Sequence, residues 1–214
     1  MKAGSLVKPL VRRAASQASI VNRRRKAAFM TAYATEHAVR SVLFVGVGGE
    51  WLPETHIVEL GAAKVAIFCV GADLHPVDST WAYVQADGLR LPFRNNAFDL
   101  VLSNAVIEHV GGEAEQRQFV AEHVRVGRRW IVTTPNRWFP LESHTRTAFK
   151  HWSPVWRANR THAFTRLMSR REFADLLPGE SRIRGSNLHP TFTAYGPDGG
   201  VAGSTRPTIS PGTS

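Results

Sequence analysis

The ten residues Ser41–Glu50, SVLFVGVGGE, restrict this chain more than any other stretch. An unbroken apolar run ends in glycines, the pattern of a parallel strand buried on both faces that stops at a tight turn. Backbone N–H groups left bare at such a turn can receive a ligand's polar atoms. The same turn also serves any plain strand-to-helix connection, so its meaning depends on the rest of the chain.

Downstream the unit repeats. Lys64–Ala72, Trp81–Gln85, Phe98–Ser103 and Arg129–Thr133 read as strands, the last stopped by Pro135. Helices are predicted over Leu52–Leu60, opened by Pro53 and closed by Gly61, and over Glu113–Val124, with Phe119, Val120 and Val124 inward. Ser169–Leu177 is a third, with Ser169 and Glu172 in the capping-box pattern. Arg182–Ser186 and Thr191–Tyr195 can pair as antiparallel strands. The fold class is therefore α/β: a Rossmann-like, doubly wound, mostly parallel sheet with an antiparallel closing strand.

Around this domain, 39–195, the chain changes character. Residues 1–38 read as a basic N-terminal helical arm, with helical segments at Leu6–Ala18 and Asn22–Thr35. Residues 1–40 hold nine Lys or Arg and one acidic residue, Glu36, so much of the net charge of +10 resides there. Arg23-Arg24-Arg25-Lys26 can contact nucleic acid or another anionic surface, or be a solvated helix face. The basic, Ser- and Ala-containing start also resembles an organellar transit peptide. Residues 138–165 form an aromatic and basic insert expected to lie over the functional site, and 196–214, rich in Gly, Pro, Ser and Thr, read as a disordered tail.

No apolar run reaches transmembrane length, and a cytoplasmic location is expected. Cys69, the single cysteine, lies in a strand-like run and reads as a small buried hydrophobe, which leaves no disulfide and no cysteine-based metal site. The histidines show no metal-ligand spacing, and no metal is expected.

In a doubly wound sheet ligands collect at the carboxyl ends of the strands, which selects the residues that carry chemistry. Gly46, Gly48 and Gly49 close the first strand. Asp73 closes the second, where a carboxylate can accept hydrogen bonds from both hydroxyls of a ribose. Asp87, with Gly88 and the turn Leu89–Phe93, can take an exocyclic amine while apolar side chains sandwich a flat ring. Taken singly, Asp73 and Asp87 are turn or capping residues; taken in order beside the glycine turn, they favour a nucleoside. Asn104 ends the strand predicted to lie next to the first, and Asp99, at that strand's opposite end, reads as a structural hydrogen-bonding residue.

The stretch Ala86–Val110, ADGLRLPFRNNAFDLVLSNAVIEHV, resembles class I S-adenosylmethionine-dependent methyltransferases, specifically the type 11 methyltransferase domain group. With the glycine turn, Asp73 and TTPNRWFP after the fifth strand, the resemblance covers about Val42–Asn136. It implies an enzyme that moves a methyl group from S-adenosyl-L-methionine to O or N of a small-molecule acceptor. It implies Gly46 and Gly48 at the cofactor's amino-acid end, Asp73 on the ribose, Leu74 beside the adenine, Asp87 on the adenine amine and Gly88 and Leu89 along the ring. Asn104 would lie beneath the sulfonium, and the insert 138–165 would lie over the acceptor site and shape its pocket, its positive charge pointing to an acidic or phosphorylated acceptor. One departure stands out: the family carries an acidic residue two positions before its first glycine, and here that position is Phe44. Glu50, which falls where the family often has a third glycine, is the candidate replacement.

Glu108 and His109 follow the fourth strand and His144 the fifth, so each can face the transferred methyl group. His109 and His144 are the candidate bases, should the nucleophile need to lose a proton. Other readings are an RNA methyltransferase using the basic arm, a degenerate methyltransferase-fold binding protein and, least favoured, a nicotinamide-dependent oxidoreductase, for which Gly46–Trp51 lacks the last glycine of G-x-G-x-x-G.

Overall fold

A computed structural model describes residues 4–48, 56–75, 81–142, 147–149, 152–153, 155 and 165–196. In chain order the elements are α1 (Gly4–Glu36), β1 (Ser41–Val45), α2 (Ile57–Ala63), β2 (Phe68–Asp73), β3 (Ala82–Gln85) and β4 (Leu100–Asn104). After a single 3-10 turn, Ile107–His109, come α3 (Glu113–Val126), β5 (Trp130–Pro135), the short hairpin β6 (Leu141–Glu142) and β7 (Thr147–Ala148), α4 (Arg170–Ala174), β8 (Arg182–Arg184) and β9 (Thr191–Gly196).

The main sheet has seven strands in the order β3-β2-β1-β4-β5-β9-β8. The first five are parallel, and β9 joins β5 antiparallel, with Val132 opposite Ala194. This is the fold class expected from the sequence. Because successive side chains in a strand alternate faces, β1 sends Leu43 and Val45 to one core and Val42 and Phe44 to the other. The first core is closed by Phe119 of α3 and Phe173 of α4, the second by Met30 and Tyr33 of α1 and Val58 and Ala62 of α2.

Two helices depart from the sequence reading. The two segments proposed near the N-terminus are one helix of 33 residues. Its second half belongs to the core: Met30, Tyr33 and Ala34 are buried, and Asn22 Nδ2 reaches Thr191 Oγ1 at 3.4 Å. Gly61 does not stop α2 but lies inside it, where a side-chain carbon would stand 2.5 Å from the Ala27 carbonyl oxygen. Bare backbone lets α1 and α2 touch, and Thr31 Oγ1 donates to the Gly61 carbonyl at 2.6 Å. Residues 49–55, most of the insert and 197–214 lie outside the described residues.

The smaller expectations hold. Ser169 and Glu172 cap α4 reciprocally, the Ser169 N–H donating to Glu172 Oε2 at 2.8 Å. Asp99 Oδ2 accepts from the N–H groups of Arg40 and Ser41 and from Ser41 Oγ at 3.0–3.1 Å, tying the start of β4 to the start of β1. Burial pushes the Asp99 carboxyl upward, but these bonds and nearby Arg128 outweigh it and hold it below its usual range. The Cys69 thiol, half-buried in β2, is pushed up to about 11 by burial, so it is not a thiolate nucleophile at neutral pH.

Candidate active site

The strand order reverses between β1 and β4, and the crevice outside their carboxyl ends is where such a sheet takes ligands. Gly46 leaves β1 with φ of +81°, and its N–H donates to the Ala72 carbonyl of β2 at 2.8 Å. A side-chain carbon at Gly46 would meet Val106 at 2.4 Å, so both backbone conformation and space demand glycine. At Gly48 the missing side chain makes room for the Asp73 carboxylate, which would stand 2.7 Å from it. Gly49 and Glu50 lie outside the described residues.

Between these strand ends lies a cavity of about 290 Å³ lined by Gly46, Asp73, Leu74, Asp87, Leu89 and His109, with Gly88 and Phe119 in its wall. Asp73 Oδ1 accepts the His75 N–H at 3.0 Å, and Asp87 Oδ1 accepts the Leu89 N–H at 2.9 Å. Each aspartate thus performs the ordinary turn role, and in doing so is held at the cavity wall, where Oδ2 makes no hydrogen bond among the described residues. Two acceptor carboxylates across an apolar slot suit a nucleoside, whose hydroxyls and amine donate while its base packs.

Asn104 lies apart from that cavity, in a cluster the sequence does not announce. Its Oδ1 accepts from Lys26 Nζ of α1 at 2.6 Å and from Thr133 Oγ1 of β5 at 2.9 Å, and its Nδ2 donates to Glu59 Oε1 of α2 at 3.1 Å. An ammonium has only donors, so Lys26 fixes which end of the amide faces it. Glu59 is 5% exposed, and its Oε2 is buried without a hydrogen-bond partner among the described residues. Burial pushes the Glu59 carboxyl up, against its own backbone N–H, Asn104, Lys26 and His56. Burial also pushes the Lys26 ammonium down to about 8, against the pull of Glu59 and Glu108. The one signal in the sequence was Glu59 amid apolar residues of a short helix; Lys26 was hidden in a basic run.

Phe44 is fully buried and packs against Trp81 with ring centroids 4.4 Å apart. It points into the α1–α2 core, the layer in which Glu59 is also buried between Val58 and Ala62. A buried carboxyl group is therefore present in the same layer, on the neighbouring helix.

His109 is exposed on the 3-10 turn after β4, lines the cavity, and has Nδ1 3.4 Å from Thr165 Oγ1. Glu108 is turned the other way, fully buried, with Thr134 Oγ1 donating to its Oε2 at 3.4 Å. His144 lies outside the described residues. Among the described residues no three His, Cys, Asp or Glu side chains converge on a metal-ion position, and no helix is long and apolar enough to cross a membrane.

Residues 57–129 match the family model described as a methyltransferase domain, the group that Ala86–Val110 resembles. No curated protein matches the chain by sequence. Among solved structures, a possible exported protein from Bordetella parapertussis superposes with a TM-score of 0.53 at 13% identity, over 84% of this chain and 69% of that one. The N-methyltransferase NodS from Bradyrhizobium japonicum, in complex with S-adenosyl-L-homocysteine, gives 0.51 at 12% identity over 81% and 85%. PigF with bound S-adenosyl-L-homocysteine gives 0.51 at 14% identity over 91% and 67%. At these identities the likeness is one of fold, the Rossmann-like, mostly parallel sheet described above.

Proposed function

We propose that this chain is an S-adenosylmethionine-dependent methyltransferase that transfers a methyl group to oxygen or nitrogen of a small-molecule acceptor. The observation that carries the reading is the 290 Å³ cavity that places Asp73, Leu74, Asp87, Leu89 and His109 around one slot beside the Gly46 turn. S-adenosylmethionine, when bound, supplies an electrophilic methyl group on a sulfonium.

The residues present fit that molecule. Asp73 takes the ribose hydroxyls, Asp87 the adenine amine, and Leu74, Gly88 and Leu89 flank the ring. Gly46 and Gly48 let the backbone approach the amino-acid end, a role proposed for Gly49 from the sequence alone. Asn104, held by Lys26 and Thr133, stands beneath the sulfur, and Glu59 supplies through its unpartnered Oε2 the carboxylate that Phe44 does not. Methyl transfer is an in-line displacement, so alignment of acceptor and donor supplies much of the rate. Where the acceptor must lose a proton, His109 is the first candidate base and His144 the second.

Isothermal titration with S-adenosylmethionine, S-adenosyl-L-homocysteine and NADH tests the reading. Heat is expected with the first two and none with NADH. Well-folded protein that binds neither sulfur ligand overturns it, and binding without turnover across amine, hydroxyl and carboxylate acceptors points to a binding module.

A further inference from the structure

A second cavity among the described residues is larger than the one between Asp73 and Asp87. It has a volume of about 530 Å³ and lies between the middle of α1 and the β8–β9 hairpin. Arg25, Lys26, Arg184 and His189 line it together with the rings of Phe29 and Phe139, and neither aspartate nor glutamate is among the lining residues.

Arg184, His189 and Lys26 are held in place by their neighbours. The Arg184 guanidinium stacks 4.1 Å over the centre of the Phe29 ring, which fixes the plane of its donors. His189 Nδ1 accepts the Ser186 N–H at 3.1 Å, so in the neutral ring the proton is on Nε2, which is left as a donor. Lys26 belongs to both places: it lines this cavity and its Nζ donates to Asn104 at the carboxyl end of β4. The basic cavity therefore adjoins the point where a sulfur-bound methyl group would be presented.

We propose that this cavity is the acceptor site and that the acceptor is a small organic anion, a carboxylate or phosphate monoester with an apolar body. Its anionic group is held by Arg25, Arg184 and Lys26, and its body lies against Phe29 and Phe139. The proposal rests on the methyltransferase reading. A guanidinium fork matches carboxylate and phosphate geometry, while aromatic walls select a molecule with a hydrophobic part over free inorganic ions.

The test uses the full chain and four probes: phenyl phosphate, benzoate, neutral benzamide and a single-stranded RNA 12-mer. Affinities are read by titration calorimetry, with and without saturating S-adenosyl-L-homocysteine. Phenyl phosphate or benzoate is expected to bind at least tenfold more tightly than benzamide, the stronger of the two identifying the anion. Arg184→Gln should weaken that probe at least tenfold while S-adenosyl-L-homocysteine binds as before. Arg25→Gln, an exposed position on α1, serves as a second variant should Arg184→Gln fold poorly. Equal binding of benzoate and benzamide, or variants that leave anion affinity unchanged, overturns the proposal. So does an RNA that binds where neither small anion does. Because the probes need no cofactor, loss of S-adenosyl-L-homocysteine binding with anion binding intact would sink the methyltransferase reading and leave the anion site standing.

Discussion

The two cavities described above are opposites in charge. Among the described residues, the one at the ends of β1 and β2 has Asp73 and Asp87 in its wall and neither lysine nor arginine; the one between α1 and the β8–β9 hairpin has Arg25, Lys26 and Arg184 and no carboxylate. They also differ in how they are built. Each aspartate stands at or just beyond a strand end and is locked by a backbone N–H two residues on. The basic side is assembled from a helix near the start of the chain and a hairpin near its end, joined by contacts such as Asn22 to Thr191, 169 residues apart. A cationic cofactor and an anionic acceptor would thus approach from sides of matching field, with Lys26, Asn104 and Glu59 at the boundary.

The most severe way to break this division is to move a carboxylate back to β1. Phe44→Asp places an unpaired acid where a fully buried ring packs on Trp81, and a loss of about 5 kcal/mol or more is expected, enough to unfold a typical domain. Thermal melts check this; a well-folded variant with tighter cofactor binding would show that Glu59 does not fill the role.

Acidity sets the window in which the comparison can be made. Burial holds the His123 imidazole down to about 4, from an unfolded value of 6.5. The unfolded chain takes up the proton first, so the contribution of His123 is complete above pH 6.5 and disappears as pH falls toward 4, by about 3 kcal/mol. Chemical denaturation across that range should show the slope, and His123→Leu should flatten it. At the alkaline end the sign is the same: Lys26 has its folded value at about 8 against 10.5, so stability rises with pH between them, and Lys26→Met should abolish the rise.

Within that window Asp73→Ala should weaken S-adenosyl-L-homocysteine about 100-fold, the loss of two hydrogen bonds to a charged acceptor, and leave the anion probe's affinity unchanged. Calorimetry on both ligands decides it, and a parallel fall in both would erase the distinction between the cavities. Asp87→Asn, which removes the charge behind a single bond, should cost the same ligand about tenfold.

The acidic side was legible in the sequence because it is local. Strand ends, glycine turns and aspartates within a few residues of each other keep their relation whatever the rest of the chain does, and Asp99, Ser169 and Glu172 were readable for the same reason. Lys26 and Glu59 were not, since their meaning comes from Asn104, 78 and 45 residues away. Gly61 misled by the same logic: a glycine near a helix end ordinarily stops it, and only the approach of Ala27 shows that this one seats another helix. Asn104 itself was placed correctly at the end of β4, yet its side chain answers to α1, α2 and β5 rather than lining the nucleoside slot.

The seat at Gly61 makes α1 a lever with its fulcrum at Ala27 and Thr31. A helix of 33 residues is about 50 Å long, and the fulcrum lies well past its midpoint. Lys26 is one residue from the pivot, whereas the first turns lie farthest from it. Trimming the chain to residue 18 shortens the long arm and leaves the pivot in place; trimming to residue 32 removes the pivot, uncovers Gly61 and takes away one wall of the basic cavity. Limited proteolysis, nicking progressively from the N-terminus, should therefore stall before residue 21 in the folded protein.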